Sequence, residues 1–435
     1  MALSLPLTVI IVGVFIGTYL LILSDRLHKP TAAVLGATLM VGTGVLNESD
    51  IVSAINWTAL GVLLGMFIIA SSLREAGFFE WMGLHLAQSV NAHPFRMYIL
   101  LPLLTAGMAS LLDIVTVALF IVPLTIEVFD GLRIDPVPFV IAEILAANVG
   151  GFSTMVGDPT NVIIGSQLSL SFNQFLENTA PIAVALLAVN TAILYASNRR
   201  FLHKEAAELH RARTMLQIRK PLEAVKDQGL LRVSLVSLLL AVGFLLAHDS
   251  LHVSPALATL LPAFMILVYE SSRSSEIQHV LSRIDWELFV FFGGLFVLVA
   301  ALVKTGLLDN LGDSMVGISG GQLALSVTVV LWVTALLSQA VDNVPLVTVF
   351  IPVVFRMAGP DLLGAQALLP LAWALAVGTA VGGMATPIGT ASNLVALSIL
   401  NKPDRRLSFW RFAKRSIPLT IINLVIANII LVLRL

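Results

Sequence analysis

The chain has 435 residues, 57% of them hydrophobic and only 12% charged, with a mean hydropathy of +0.95. Soluble domains carry about 25% charged residues, so the composition excludes a water-soluble fold, and long apolar blocks in place of short alternating strands exclude a β-barrel. The absence of cysteine excludes a disulfide framework, a thiolate metal site and cysteine catalysis, while a net charge of −1 is silent about partners.

Leu5 to Leu23 is apolar, with no basic segment before it and no small-residue cleavage pattern after it, and reads as a retained span, not a signal peptide. Further blocks of spanning length fall at 30–46, 54–73, 180–197, 230–248, 255–270, 286–303 and 416–433. Residues 97–128 are apolar but interrupted by Ser110-Leu111-Leu112-Asp113-Ile114-Val115-Thr116. Residues 322–357 are interrupted by Ser338-Gln339-Ala340-Val341-Asp342-Asn343-Val344-Pro345. Each of these reads as a re-entrant helical hairpin with its polar tip at mid-membrane. A broken helix follows each hairpin. The first break is Gly150-Gly151-Phe152-Ser153-Thr154-Met155-Val156-Gly157-Asp158-Pro159-Thr160-Asn161, and the second is Gly382-Gly383-Met384-Ala385-Thr386-Pro387-Ile388-Gly389-Thr390-Ala391-Ser392-Asn393. Glycine and proline stop the helix, and a break in hydrocarbon is tolerable only where the freed backbone faces protein, water or an ion.

The two halves align. An offset of 229 residues puts Trp57 on Trp286, Gly65 on Gly294, Gly77 on Gly306, Asp113 on Asp342 and Pro123 on Pro352. An offset of 232 puts Gly150, Gly151, Gly157 and Asn161 on Gly382, Gly383, Gly389 and Asn393. The fold class is therefore all-α and polytopic: two repeats of five transmembrane helices, each with a re-entrant hairpin and a broken helix. The expected units are an N-terminal repeat over 1–198, a linker over 199–229 and a C-terminal repeat over 230–435. With the linker placed in the cytoplasm, 22 of the 25 basic residues fall inside, leaving Lys304, Arg356 and Arg434 outside. Five spans per repeat is odd, so the repeats are inverted and both termini lie outside. The expected location is the inner, cytoplasmic membrane.

Candidate binding residues cluster at the tips and breaks. Asp113 and Asp342 mark equivalent tips, where a carboxylate either lines an ion path or caps the second leg of the hairpin. Asp158 sits in a Gly-Asp-Pro turn, but its mate is Thr390, so the turn does not require a carboxylate; a titrating or cation-holding role is favoured. Asn148, Asn161, Asn343 and Asn393 offer amides, and Thr116, Thr160, Thr386, Thr390 and Ser392 offer hydroxyls. Together with carbonyls at the glycine-rich breaks they compose an oxygen-rich site for Na⁺, H₃O⁺ or a small oxyacid. Glu143, near the expected cytoplasmic mouth, reads equally as a proton carrier or a hydrated surface group. Asp285 reads as a helix cap, His85 and His248 as interfacial, and Gly61-x-x-x-Gly65 as a close helix contact. No phosphate-loop sequence, nucleophile–base pair or metal-ligand cluster is present, so the chain reads as neither an ATPase nor any other enzyme, with no metal and no nucleic-acid partner.

Gly77-Phe78-Phe79, Leu112-Asp113-Ile114-Val115-Thr116, Gly157-Asp158-Pro159-Thr160-Asn161 and Val341-Asp342-Asn343-Val344-Pro345 together resemble the ion transporter superfamily, in particular the ArsB/NhaD permeases. That group spans arsenite permeases, NhaD-type Na⁺/H⁺ antiporters and the melanosomal P protein. Asp113-Ile114 departs from the Asp-Asn that relatives carry at the first tip, and the Ser-Asn-Thr tip of dicarboxylate carriers is missing. The resemblance implies alternating access with H⁺, or Na⁺, as coupling ion and no cofactor. The exported species it implies first is arsenite or antimonite, with Na⁺ exchanged for H⁺ as the alternative, an organic or inorganic anion after that, and an ion channel subunit as the rival of another class. Implied partners are the lipid bilayer, a homodimer and, for an arsenite permease, a soluble ATPase.

Overall fold

The computed structural model describes residues 5–24, 26–91, 93–208, 221–273, 282, 284–401 and 407–435. Among these residues there are twenty α-helices and no strand, nine of them long and apolar enough to cross a membrane. The basic residues Arg211, Arg213, Arg219, Lys220, Arg283, Lys402, Arg405 and Arg406, on which part of the topology count rests, lie outside the described residues.

The N-terminal repeat starts with α1 (Leu5–Leu23) and α2 (Lys29–Gly42), then a short surface helix α3 (Glu48–Ala54) and α4 (Trp57–Glu75). Asn47 opens α3 with a capping box and Asn56 caps α4, which fixes both starts. The sequence reading missed α5 (Phe78–Ser89), an amphipathic helix that Gly77 turns off the end of α4 at φ 82°. The hairpin follows as α6 (Pro94–Ala109) and α7 (Ile114–Gly131), and the broken helix as α8 (Val137–Gly151) and α9 (Pro159–Gln167). A short α10 (Phe172–Asn178), opened by a Ser171 capping box, leads into α11 (Ala180–Glu208). That helix continues past the expected end of the repeat at 198 into the segment read as linker.

The second repeat follows this order, without separate counterparts of α3 and α10 among the described residues. The helices are α12 (Gln228–Leu251), α13 (Pro255–Arg273), α14 (Trp286–Val303), the amphipathic α15 (Leu307–Ile318), the hairpin α16 (Leu323–Ser338) and α17 (Asn343–Met357), the broken pair α18 (Leu368–Gly383) and α19 (Ala391–Leu400), and α20 (Phe409–Leu433). Gly306 repeats the role of Gly77, at φ 73°.

Inversion follows from how the helices meet. A methyl group placed on Gly61 would touch Ala256 and one on Gly65 would touch Thr259, so α4 and α13 advance together and run parallel. Successive spans within a repeat run antiparallel, so a third span parallel to the other repeat's second span requires one repeat to be upside down. The mate contact, Gly294 against Ala33, closes α14 on α2 in the same way. These pairs, with α1 and α12, form one bundle. The hairpins, broken helices, α11 and α20 form a second, in which α19 packs on α7 and α9 on α17, so that each repeat's half-helix supports the other's hairpin.

One face of the molecule carries the His28–Glu287 and Arg273–Asp227 pairs, and there the Lys226 N–H also donates to the Ala76 carbonyl at 3.0 Å. On the opposite face Lys304 joins Asp50 at 2.6 Å and the Val45 carbonyl at 3.1 Å. The Asn47 N–H, followed by Lys304, holds the Asp50 carboxyl below its usual range.

Candidate functional site

The breaks are built by backbone contact. A Cβ on Gly150 would come within 2.7 Å of the Ala106 carbonyl carbon, and one on Gly382 within 2.7 Å of that of Ala335, so only glycine lets the hairpin leg lie flat against the broken helix. Gly157 and Gly389 similarly face the backbones of Gly151 and Gly383 across each loop. The site glycines are therefore close-approach residues, and their carbonyls are largely engaged. Asn161 Nδ2 donates to the Thr154 carbonyl at 2.8 Å and the Gly151 carbonyl at 3.5 Å. Asn393 Nδ2 donates to the Thr386 carbonyl at 2.9 Å and the Gly383 carbonyl at 3.0 Å. Each asparagine thus ties its own break shut, satisfying the backbone groups that the missing helical turn frees.

Hydroxyls tie the breaks to the hairpins. Thr154 donates to the Ser110 carbonyl, and its mate Thr386 donates to the Gln339 carbonyl at 2.6 Å. The half-helices are then capped: Asp158 Oδ1 accepts from the Thr160 N–H at 2.8 Å and from the Thr160 hydroxyl at 2.6 Å. In the other repeat Thr390 accepts from the Asn393 N–H and pairs with Ser392 at 3.0 Å. Asp113 caps α7 through the Thr116 N–H at 2.9 Å. Asp342 stands at the same place before α17 but caps nothing; its Oδ2 lies 3.0 Å from Lys29 Nζ on α2. Asn343 beside it accepts from the Ser338 hydroxyl at 2.5 Å.

These side chains converge on a cavity of about 590 Å³ between the two bundles. Of the twelve side chains singled out from the sequence, Asp113, Thr116, Asp158, Asp342, Asn343 and Thr390 line it. Asn148, Thr160, Asn161, Thr386, Ser392 and Asn393 stand behind the wall and hold it. The cavity is lined at one end by His28 and Glu287, whose side chains are 64% and 69% exposed, and also by Asp158, which is 4% exposed. Lys29 and Arg74 also line it and were missed, because they sit next to helix ends and read as topology charges; Glu287, in the first turn of α14, lines it too and carried no signal in the sequence. Asp285 is the helix cap expected, accepting from the Leu288 N–H at 3.3 Å, and it lines the cavity as well. Five carboxylates, those of Asp113, Asp158, Asp342, Asp285 and Glu287, therefore face two fixed cations, Lys29 and Arg74. The groups placed to hold a cation are Asp113 and Asp158, with Asn161 Oδ1, a fully buried acceptor without a hydrogen-bond partner, behind them.

Two expectations change. Glu143 is not hydrated at a mouth: it is 1% exposed between α7 and α8, with Oε1 accepting from the Thr125 hydroxyl at 2.5 Å, and it does not line the cavity. His248 is buried, its Nε2 accepting from the Phe172 N–H at 3.3 Å, so that it joins α12 to α10.

Comparison with known proteins agrees with this architecture. Residues 19–378 match the citrate transporter family, CitMHS. The chain is 37% identical to a 46 kDa membrane protein of Mycobacterium leprae over 98% of its own length and 99% of the relative's. It is 36% identical to an uncharacterized transporter of Mycobacterium tuberculosis, again over 98% and 99%. The P protein of Sus scrofa is 27% identical over 94% of this chain and 57% of its own. Among solved structures the YdaH transporter of Alcanivorax borkumensis superposes with a TM-score of 0.56 at 14% identity, covering 88% of this chain and 86% of that one, a likeness of fold. The motifs were read as those of the ArsB/NhaD permeases of the ion transporter superfamily, a group taken to include arsenite permeases, NhaD antiporters and the P protein; the family shown is that of the citrate transporters, with the P protein among the relatives.

Proposed function

Because the chain belongs to the citrate transporter family and is a multi-pass membrane transporter, we propose that it is a secondary active carrier that exchanges a small cation, Na⁺ first, for protons by alternating access. The observation that carries this is the charge of the cavity. Five carboxylates against two fixed cations concentrate cations and repel anions in a site walled by low-dielectric protein. Asp158 and Asp113 at the buried end alternate between a proton and the transported cation. By the positive-inside rule the basic face is cytoplasmic, both termini lie outside in the inner membrane, and the carrier stands open to the cytoplasm. A cavity that opens on one face while the Lys304–Asp50 contact joins helices on the other supports a carrier over a channel.

The family match favours a second reading, citrate. A bare tricarboxylate would bring further negative charge among five carboxylates, so the form this cavity suits is citrate neutralised by a divalent cation. Arsenite and antimonite, implied by the resemblance, have less support: neutral hydroxides gain nothing from the cavity's charge, and of the hydroxyls and amides Thr386 and Asn393 hold the second break while Thr390 and Asn343 are paired with Ser392 and Ser338.

Everted vesicles energised by respiration, with a ΔpH-reporting dye, test this on titration with Na⁺, Li⁺, arsenite, and citrate with and without Mg²⁺. Dequenching by Na⁺ or Li⁺ that disappears in Asp158→Asn is the expected result. Silence to both cations alongside a response to arsenite or to citrate with Mg²⁺ overturns it.

A further inference from the structure

The two hairpin tips carry the same carboxylate and use it differently. Asp113 caps its own helix, whereas Asp342 leaves the α17 N-terminus uncapped and reaches out of its bundle to Lys29 on α2, 3.0 Å away. A second bond joins the same tip to the other bundle, from the Tyr19 hydroxyl on α1 to the Pro345 carbonyl at 3.0 Å. The second hairpin is thus held to α1 and α2 at its tip. The mate contacts Gly65–Thr259 and Gly294–Ala33 pair Ala33 with Thr259, so Pro255 stands where Lys29 stands in the other repeat, and Asp113 has no lysine to meet there. From this asymmetry we propose that Lys29 is a built-in counter-cation that takes the Asp342 side of the cavity and locks the carrier open to the basic face.

The reasoning is one of state-specific contact. In an inverted-repeat carrier the opposite-facing state arises when the repeats exchange arrangements about the cavity. That exchange takes Asp342 away from Lys29 and brings Asp113 toward Pro255, which offers no charge to replace the lost pair. A contact present in one state only shifts the equilibrium toward that state. Separating the pair also gives up a half-buried ion pair, an unfavourable step. A proton or cation arriving at Asp342 would neutralise it and release the lock, so the loaded carrier turns over more readily than the empty one. Lys29 is a positioning residue, acting through the hairpin. The lock rests on the alternating-access part of the proposed function and is independent of which cation is carried.

The chain has no native cysteine, so a single cysteine reports the state without a background. Ser71 lines the cavity from α4 and is 6% exposed. In everted vesicles without transported ion, Ser71→Cys is treated with a membrane-impermeant methanethiosulfonate from the basic face, and the modification rate is measured. Adding Lys29→Gln or Asp342→Asn is expected to slow modification at least about threefold, as population leaves the open state. Lys29→Arg stays within about twofold of the parent, and the exchange Lys29→Asp with Asp342→Lys recovers the rate. An unchanged rate in Lys29→Gln overturns the lock, and so does an equal loss in Lys29→Arg or no recovery in the charge exchange, since both mark mere packing. Ion-dependent dequenching by the parent is scored separately, so a carrier that fails with Na⁺ and Li⁺ but keeps this pattern loses its proposed cargo and keeps its lock.

Discussion

The two breaks in the membrane-embedded core have one skeleton and different chemistry. In both, an asparagine ties the loop carbonyls, a threonine ties the loop to a hairpin tip, and glycines allow backbone to lie on backbone. They differ at the cap, Asp158 in one and Thr390 in the other, and at the tying amide. Asn393 Oδ1 accepts from Asn148 Nδ2 at 2.8 Å; Asn161 Oδ1 accepts from nothing, because the place matching Asn148 is Ala380. The second break is thus satisfied within the protein, while the first keeps a carboxylate and an orphan oxygen. What recurs is what the fold needs, and what differs is where transport chemistry is to be sought.

The sharpest way to break that contrast is at the caps. Asn is as good a helix cap as Asp, so Asp158→Asn keeps the half-helix and removes the charge. Losing a charged partner for the transported ion is worth about 3 kcal/mol, so exchange in vesicles should fall roughly a hundredfold with expression and thermal stability near wild type. The reciprocal Thr390→Ser, which keeps the hydroxyl cap, should leave exchange within about twofold. Equal loss in both variants would mean that the caps serve only the fold.

How much of this was legible beforehand depended on whether the signal was local. Gly150, Gly151 and Pro159 in one repeat, and Gly382, Gly383 and Pro387 in the other, interrupt apolar runs, which only a broken helix explains, and the shared register of Asp113 with Asp342 exposes the repeat. The amphipathic helices α5 and α15 were missed because their marks, Gly77 and Gly306, are single glycines whose left-handed geometry shows only in three dimensions. Roles were harder still. An asparagine at a break reads the same whether its amide faces an ion or the loop's own carbonyls, and here both amides face the loop. Lys29 was counted as a charge at the membrane surface because its partner, Asp342, lies 313 residues away. Its counterpart in the other repeat is Pro255, a mismatch that shows only once the contacts of Gly65 and Gly294 pair Ala33 with Thr259.

A second contrast, smaller in effect, lies in the amides. Asn393→Ala removes two bonds to loop carbonyls and the partner of Asn148, leaving buried polar groups that cost about 1–3 kcal/mol each. Asn161→Ala removes one good bond, one long one and an oxygen that was already unpartnered. Thermal unfolding in detergent should therefore fall further for Asn393→Ala than for Asn161→Ala. If Asn161 Oδ1 instead helps hold the transported cation, Asn161→Ala should raise the half-saturating cation concentration, and Asn393→Ala should not. Matching kinetics in the two variants would remove Asn161 from the ion's surroundings.

The mildest perturbation makes the two breaks alike. Asn148 donates from one nitrogen to the Ile144 carbonyl at 2.8 Å, within its own helix, and to Asn393 Oδ1. Asn148→Ala leaves Asn393 Oδ1 as unpartnered as Asn161 Oδ1 already is, at a cost of about 1 kcal/mol, visible as a small drop in the melting temperature. Because Asn148 stands behind the cavity wall, exchange should stay within about twofold of wild type. A large loss of exchange without loss of stability would show that the link between the breaks carries coupling as well as packing, since this hydrogen bond joins the broken helix of one repeat to that of the other.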